Sequence, residues 1–256
     1  MDIKPISKGS STMFLITGTD PAYVNALRRT IIDEVPTLAI EDVEFKKNSS
    51  ALYDEVIAHR LGLIPLKTDL AYQVPATEEE KESLKCSVKL SLTTKAAGIV
   101  TADKLKSADP NVVPVHEQMP IVKLLPGQQL QFDALAVMGR GKEHAKWSPA
   151  HVSYQGVPKL SINNSKISDA DDFVKNSPAP IFDAKGGKVS VNEDALLSHA
   201  QAAEALSDYS EAITVSRSDK DFLFTVEPFG QLSAKDIMTT ALDILTQKME
   251  AFSNAL

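Results

Sequence analysis

The chain has 256 residues, 43% hydrophobic and 24% charged, enough for one large core or two modest ones. Met1–Ser10 lacks an apolar leader, and no stretch approaches the ~20 apolar residues of a membrane span, so a cytoplasmic protein is expected. A net charge of −7 favours protein partners over sequence-independent binding to nucleic acid, and the single cysteine, Cys86, excludes an intrachain disulfide and any iron–sulfur or zinc site held by several cysteines of this chain.

The first strand pattern is Thr12–Thr17. Asp20 can cap the helix that follows, with Pro21 at its first position. Val24, Leu27, Ile31 and Val35 then recur at spacings of three and four, which predicts one apolar seam over Pro21–Glu34, flanked by Arg28 and Arg29. Pro36 ends the helix. Thr37–Phe45 reads as a strand with an acidic outer face, Lys47–Ser50 as a turn, and Ala51–Leu61 as a short helix closed by Gly62. Residues 73–84 are polar and highly charged, which predicts an exposed loop, with Glu78–Glu80 on a solvated face.

Strands resume at Cys86–Thr93, where Cys86 reads as a small core residue, and continue at Ile121–Leu125 and Leu130–Met138. The middle of the chain is therefore expected to be mostly β. Residues 165–220, rich in Ser, Asp, Ala and Lys, predict an appended module or a loosely ordered segment, with a helical piece at Glu193–Leu206. Phe222, Phe224 and Val226 alternate as a strand, and Pro228-Phe229-Gly230 turns the chain. Ser233 and Asp236 resemble a capping box ahead of a long helix, Ala234–Ser253. Its apolar residues, from Ile237 through Leu242, Leu245 and Met249 to Phe252, sweep an arc of roughly 160°, against the ~100° a surface helix needs. The excess predicts burial on two sides, or deep burial within one core.

Signatures of catalysis are weak. P-loop, dinucleotide-binding, nucleophile-elbow and zinc-protease motifs are absent from the sequence. His144 and His151 are seven apart, but Pro149 interrupts any helix between them. Asp169, Asp171 and Asp172 superficially match the clustered carboxylates of polymerase metal sites, yet lie in the least hydrophobic region and read as solvated surface. Gly139-Arg140-Gly141-Lys142-Glu143-His144-Ala145-Lys146-Trp147 admits two readings. Arg140, Lys142, Lys146 and Trp147 form either an interface loop that grips an acidic surface, or a turn followed by a core-filling tryptophan.

Three blocks together carry a family resemblance. Asn25–Ile40 (NALRRTIIDEVPTLAI), Tyr53–Leu66 (YDEVIAHRLGLIPL) and Gly139–Pro149 (GRGKEHAKWSP) resemble, in order and spacing, the alpha-like subunits of cellular RNA polymerases, in particular the archaeal D branch and its eukaryotic third-largest-subunit relatives. The resemblance implies an α+β fold: a discontinuous alpha-like dimerisation domain (1–46 and 220–256, a sheet plus two helices), an inserted β-rich domain (47–164) and an appended module (165–219). It also implies a non-catalytic scaffold that heterodimerises with subunit L. The pair then supports the second-largest and largest subunits and small subunits N and P, and touches DNA only through the complex.

On this reading Leu27, Ile31, Leu242, Leu245, Met249 and Phe252 form the partner seam, while Arg28, Arg29 and Arg60 make polar contacts near a large subunit. Many archaeal members carry a cysteine-rich iron–sulfur module where this chain has 165–219 without cysteine, so no cluster and lower order are expected there. The alternatives are a stand-alone alpha-like homodimer, which the D-branch blocks and the absence of a DNA-binding domain after residue 256 disfavour, and an enzyme using His59 or His144 as a base.

Overall fold

The computed structural model describes residues 1–7 and 11–255. Strands β1 (Asp2–Ser7) and β2 (Thr12–Thr17) precede helix α1 (Pro21–Glu34), strand β3 (Pro36–Asn48) and helix α2 (Asp54–Gly62). Five strands follow: β4 (Ser87–Thr94), β5 (Gly98–Thr101), β6 (Lys106–Ser107), β7 (Pro120–Leu124) and β8 (Leu130–Arg140). After β9 (Ala150–Ile162) come α3 (Ala170–Lys175), β10 (Phe182–Lys185), β11 (Lys188–Val191), α4 (Glu193–Ser198) and α5 (Ala203–Tyr209). The long β12 (Ile213–Pro228) and α6 (Ala234–Asn254) close the chain. This is the expected α+β class.

The chain divides into two compact units, one of residues 1–26 with 152–226 and the other of 27–151 with 227–256. These cuts differ from the three-part division at 46/47, 164/165 and 219/220. The position 219/220 falls inside β12, and 46/47 falls inside β3.

In the first unit a four-stranded sheet runs in the order β1-β2-β12-β9. Antiparallel pairing sets Phe224 opposite Phe14 and Phe222 opposite Ile16, all buried, so the period-two pattern of both strands faces a core. Residues 165–219, expected to be loosely ordered, are instead packed. Ile181, Phe182, Val189, Leu196, Leu206 and Ile213 form a core of their own, and Phe173 stands edge-on to both Phe182 and Tyr209 at 5.7 and 5.1 Å between ring centroids. The helix expected at 193–206 is broken: α4 ends at Ser198, and a 3-10 turn at Ala200–Ala202 separates it from α5.

The second unit is built on a sheet of order β3-β8-β4-β6. Leu38 and Ile40 of β3, Phe132, Ala134, Ala136 and Met138 of β8, and Val88, Leu90 and Leu92 of β4 share one apolar core, covered by Ile57 and Leu61 of α2. The helix expected from Ala51 starts only at Asp54, because Asn48 gathers the preceding turn: its side chain bonds Ser50 N, Leu52 O and Asp54 Oδ1. The expected turn at Lys47–Ser50 accordingly begins later, with Lys47 and Asn48 still paired to β8. A β-bulge lies between Ile40 and Asp42, leaving Glu41 without a partner on β8.

Candidate functional site

Two helices carry the surface under consideration. At the start of α1, Asp20 Oδ1 accepts a hydrogen bond from Tyr23 N at 2.8 Å, the cap its sequence predicts. Val24, Leu27, Ile31 and Val35 are all fully buried. Leu27 and Ile31, assigned to a partner seam, therefore lie inside the chain's own packing and offer no free surface. Arg28 is half-buried, and Arg29 is exposed with its Nε 4.0 Å from Asp33.

Helix α6 begins with Ser233 Oγ accepting from Asp236 N at 3.1 Å and donating to Asp236 Oδ2 at 2.6 Å, so Ser233 is the N-cap and the shorter acid bonds its hydroxyl instead of its backbone N–H. Its apolar arc is then used unequally. Ile237, Met238 and Ala241 are buried in the first half. Leu242 and Leu245 are half-buried, while Met249 and Phe252 are 69% and 64% exposed. A helix that continues its apolar stripe for two turns into solvent has been left uncovered at one end.

Charge marks the place where the two helices meet. Lys248 Nζ of α6 donates to Glu34 Oε1 at the end of α1, at 2.8 Å. That bond, helped by the fields of Lys248, Arg140 and Lys142, holds the Glu34 carboxyl below its usual value. Sequence reasoning missed this pair because 214 positions separate the two residues and no local pattern links them.

The segment after β8 caps α1. Helix C-termini leave carbonyls unmet, and here Ile32 O accepts from Ser148 Oγ at 3.1 Å and Asp33 O from Lys142 N at 2.9 Å. Gly141 makes this approach possible, since a Cβ there would sit 1.9 Å from Ile32 O. The loop divides between its two readings. Trp147 is buried, its Nε1 donating to Val137 O at 3.1 Å, so it fills core space. Lys146 lies 4.4 Å above the Trp147 ring, bonds Ile40 O at 3.0 Å and pairs with the Glu41 carboxylate that the bulge releases. Arg140 and Lys142 remain exposed. Arg60 also points partly inward, Nη1 donating to Ile121 O at 2.8 Å.

The remaining polar candidates have structural duties. Asp169 caps α3, its Oδ1 accepting from Asp171 N and Asp172 N at 2.9 and 3.2 Å. His144 Nδ1 accepts from Lys146 N at 3.0 Å. Cys86 is a buried free thiol. No helix among the described residues is long and apolar enough to cross a membrane.

Comparison with known proteins places this arrangement. A family model described as "RNA polymerase Rpb3/RpoA insert domain" matches residues 41–154. The "DNA-directed RNA polymerase subunit Rpo3" of Methanosphaera stadtmanae is 36% identical over 251 residues, covering 94% of this chain and 93% of that protein. The protein of the same name from Pyrococcus furiosus is 38% identical over 256 residues, 97% and 94% of the two chains. The "DNA-directed RNA polymerases II, IV and V subunit 3" of Arabidopsis thaliana is 37% identical over 279 residues, 95% and 87%. Identity at this level over nearly the whole length of archaeal and eukaryotic relatives alike means that the chain belongs to the Rpo3/Rpb3 family of DNA-directed RNA polymerase subunits.

Proposed function

We propose that this chain is the non-catalytic assembly subunit of a cytoplasmic DNA-directed RNA polymerase, pairing through α6 with a smaller alpha-like, L-type subunit. The observation that carries this reading is the uncovered distal half of α6, where Met249 and Phe252 stand exposed on the stripe that Leu242 and Leu245 begin. Leu27 and Ile31 serve from beneath, holding α1 in place, rather than by touching the partner. Permanent interfaces of this kind bury roughly 2,000 Å² or more and are rich in apolar contacts. The N- and C-terminal segments, 1–46 and 220–256, act as the dimerisation platform, with 47–164 as an insert and 165–219 as an appended module.

The pair then presents Arg28, Arg29, Arg60, Arg140 and Lys142 toward the second-largest and largest subunits, alongside the small N- and P-type subunits. DNA is met only through the complex. The chain works without an iron–sulfur cluster, since the module is held by its own apolar core and Cys86 is the single cysteine. Stoichiometric iron and acid-labile sulfide in the purified protein would contradict this.

Leu245→Asp tests the pairing, because closing the interface would strip water from an unpaired carboxylate. Co-expressed with an L-type subunit, the variant is expected to elute alone from a size-exclusion column. Co-elution at the wild-type yield would overturn the proposal.

A further inference from the structure

The packing of α6 runs out before the helix does. Ile237 and Ala241 are fully buried, whereas every residue from Thr246 to Asn254 is exposed, a stretch of ~13 Å at 1.5 Å per residue. Helices in proteins are held mainly by the apolar face they bury, so this bare end has little to fix its direction. Lys248 lies within ~20° of Ile237 and of Ala241 around the axis, and so continues the side on which the helix packs.

At that position the contact is polar. Lys248 Nζ donates to Glu34 Oε1 at 2.8 Å. The acceptor is well held: Glu34 is the last residue of α1, its side chain is 20% exposed, and the turn before it is fastened by Lys142 N to Asp33 O at 2.9 Å and Ser148 Oγ to Ile32 O at 3.1 Å. On the helix, Lys248 is next to Met249 and one turn before Phe252, the two exposed apolar side chains of the stripe. The bond thus joins a fastened platform to the part of α6 that is left uncovered.

We propose that Glu34 and Lys248 are positioning residues for assembly: their bond holds the distal half of α6 in the direction in which Met249 and Phe252 meet the L-type subunit, and acts through those two side chains rather than by touching the subunit. The inference rests on the reading of α6 as the pairing helix. A partner that accepts one direction of the helix binds with an apparent affinity lowered by the fraction of chains in that direction. A partly exposed ion pair shifts such a population by up to about fivefold, equivalent to ~1 kcal/mol. The loss falls on association, because the partner itself holds the helix once the complex has formed.

The test is stopped-flow association and dissociation of the full chain with an L-type subunit, for Lys248→Met, Glu34→Gln, the two combined, and Lys248→Arg. In Lys248→Met and in Glu34→Gln kon is expected to fall about fivefold with koff unchanged, and to fall no further in the combined variant, because both substitutions break one bond. Lys248→Arg keeps the charge and a donor, so its kon should stay within about twofold of the unsubstituted chain. Long-range steering would instead move kon in opposite directions in the two single variants, since one loses a positive charge and the other a negative one, and that result would overturn the proposal. So would an unchanged kon in both, or a rise in koff for Lys248→Met that adds to the effect of Glu34→Gln, the mark of a lysine that touches the subunit directly. Failure of the unsubstituted chain to bind the L-type subunit would strike the pairing reading itself, whereas normal binding with any of the adverse outcomes above would strike this inference alone.

Discussion

Truncating Phe252 to alanine separates a residue that folds the chain from one that waits for a partner. A phenylalanine side chain buries ~200 Å² when fully covered. Phe252 is 64% exposed, so ~130 Å² remains to be covered on association. At ~25 cal/mol/Å² that area is worth ~3 kcal/mol. Ordering the side chain returns ~1 kcal/mol, leaving ~2 kcal/mol, or a roughly thirtyfold weaker Kd for the L-type subunit. The free chain should lose no more than ~0.5 kcal/mol, as for other surface changes. Titration calorimetry measures the first quantity and denaturant unfolding of the free chain the second. Gln247→Ala supplies the control, because Gln247 is exposed and faces ~140° away from Phe252 on the helix. An unchanged Kd in Phe252→Ala would refute the argument. Equal losses in folding and binding would refute it too, since Phe252 would then be part of the chain's own core.

Two further outcomes follow from the junction of α1, α6 and the loop after β8. Gly141→Ala places a methyl against the Ile32 carbonyl, a backbone atom that cannot swing aside, so the free chain is expected to lose about 3 kcal/mol in denaturant unfolding; a loss below ~1 kcal/mol would show that the cap on α1 is dispensable. Glu34 has a lowered pKa in the folded chain, chiefly through its bond from Lys248, so the contribution is full above its ordinary value of 4.5 and is lost as pH falls through the lower folded value. Lys248→Met should move the Glu34 titration, followed by carboxyl NMR shifts, upward toward 4.5, and an unmoved titration would show that Arg140 and Lys142 suffice.

What could be read from the sequence is what short-range chemistry decides. The α1 seam, the caps at Asp20 and Ser233, and the alternation of β2, β8 and β12 each depend on residues within a few positions of one another, and each appears where expected. The α4–α5 break at His199 escaped because an Ala-rich run carries no breaker, and the packing of 165–219 escaped because its core residues are spaced too irregularly for any period. Sequence alone leaves the role of Lys146 open between an interface loop and a structural turn for a different reason. Its partner, Glu41, is freed by a bulge that no propensity announces, about a hundred residues earlier in the chain.

The same limit governs the interaction surfaces. Periodicity shows which residues of a helix are apolar, and so Leu27, Ile31, Leu245 and Phe252 look alike from sequence. Only the fold shows which of them the chain covers for itself. It consumes Leu27 and Ile31, half-covers Leu242 and Leu245, and leaves Met249, Phe252, Leu63 and Phe229 in water. Single exposed apolar side chains such as Leu84 and Ile99 occur elsewhere on the chain, but Met249 and Phe252 continue one helical stripe that Leu242 and Leu245 begin. Their exposure is therefore best understood as a property of a part, stable enough to fold and unfinished until its neighbours cover what remains.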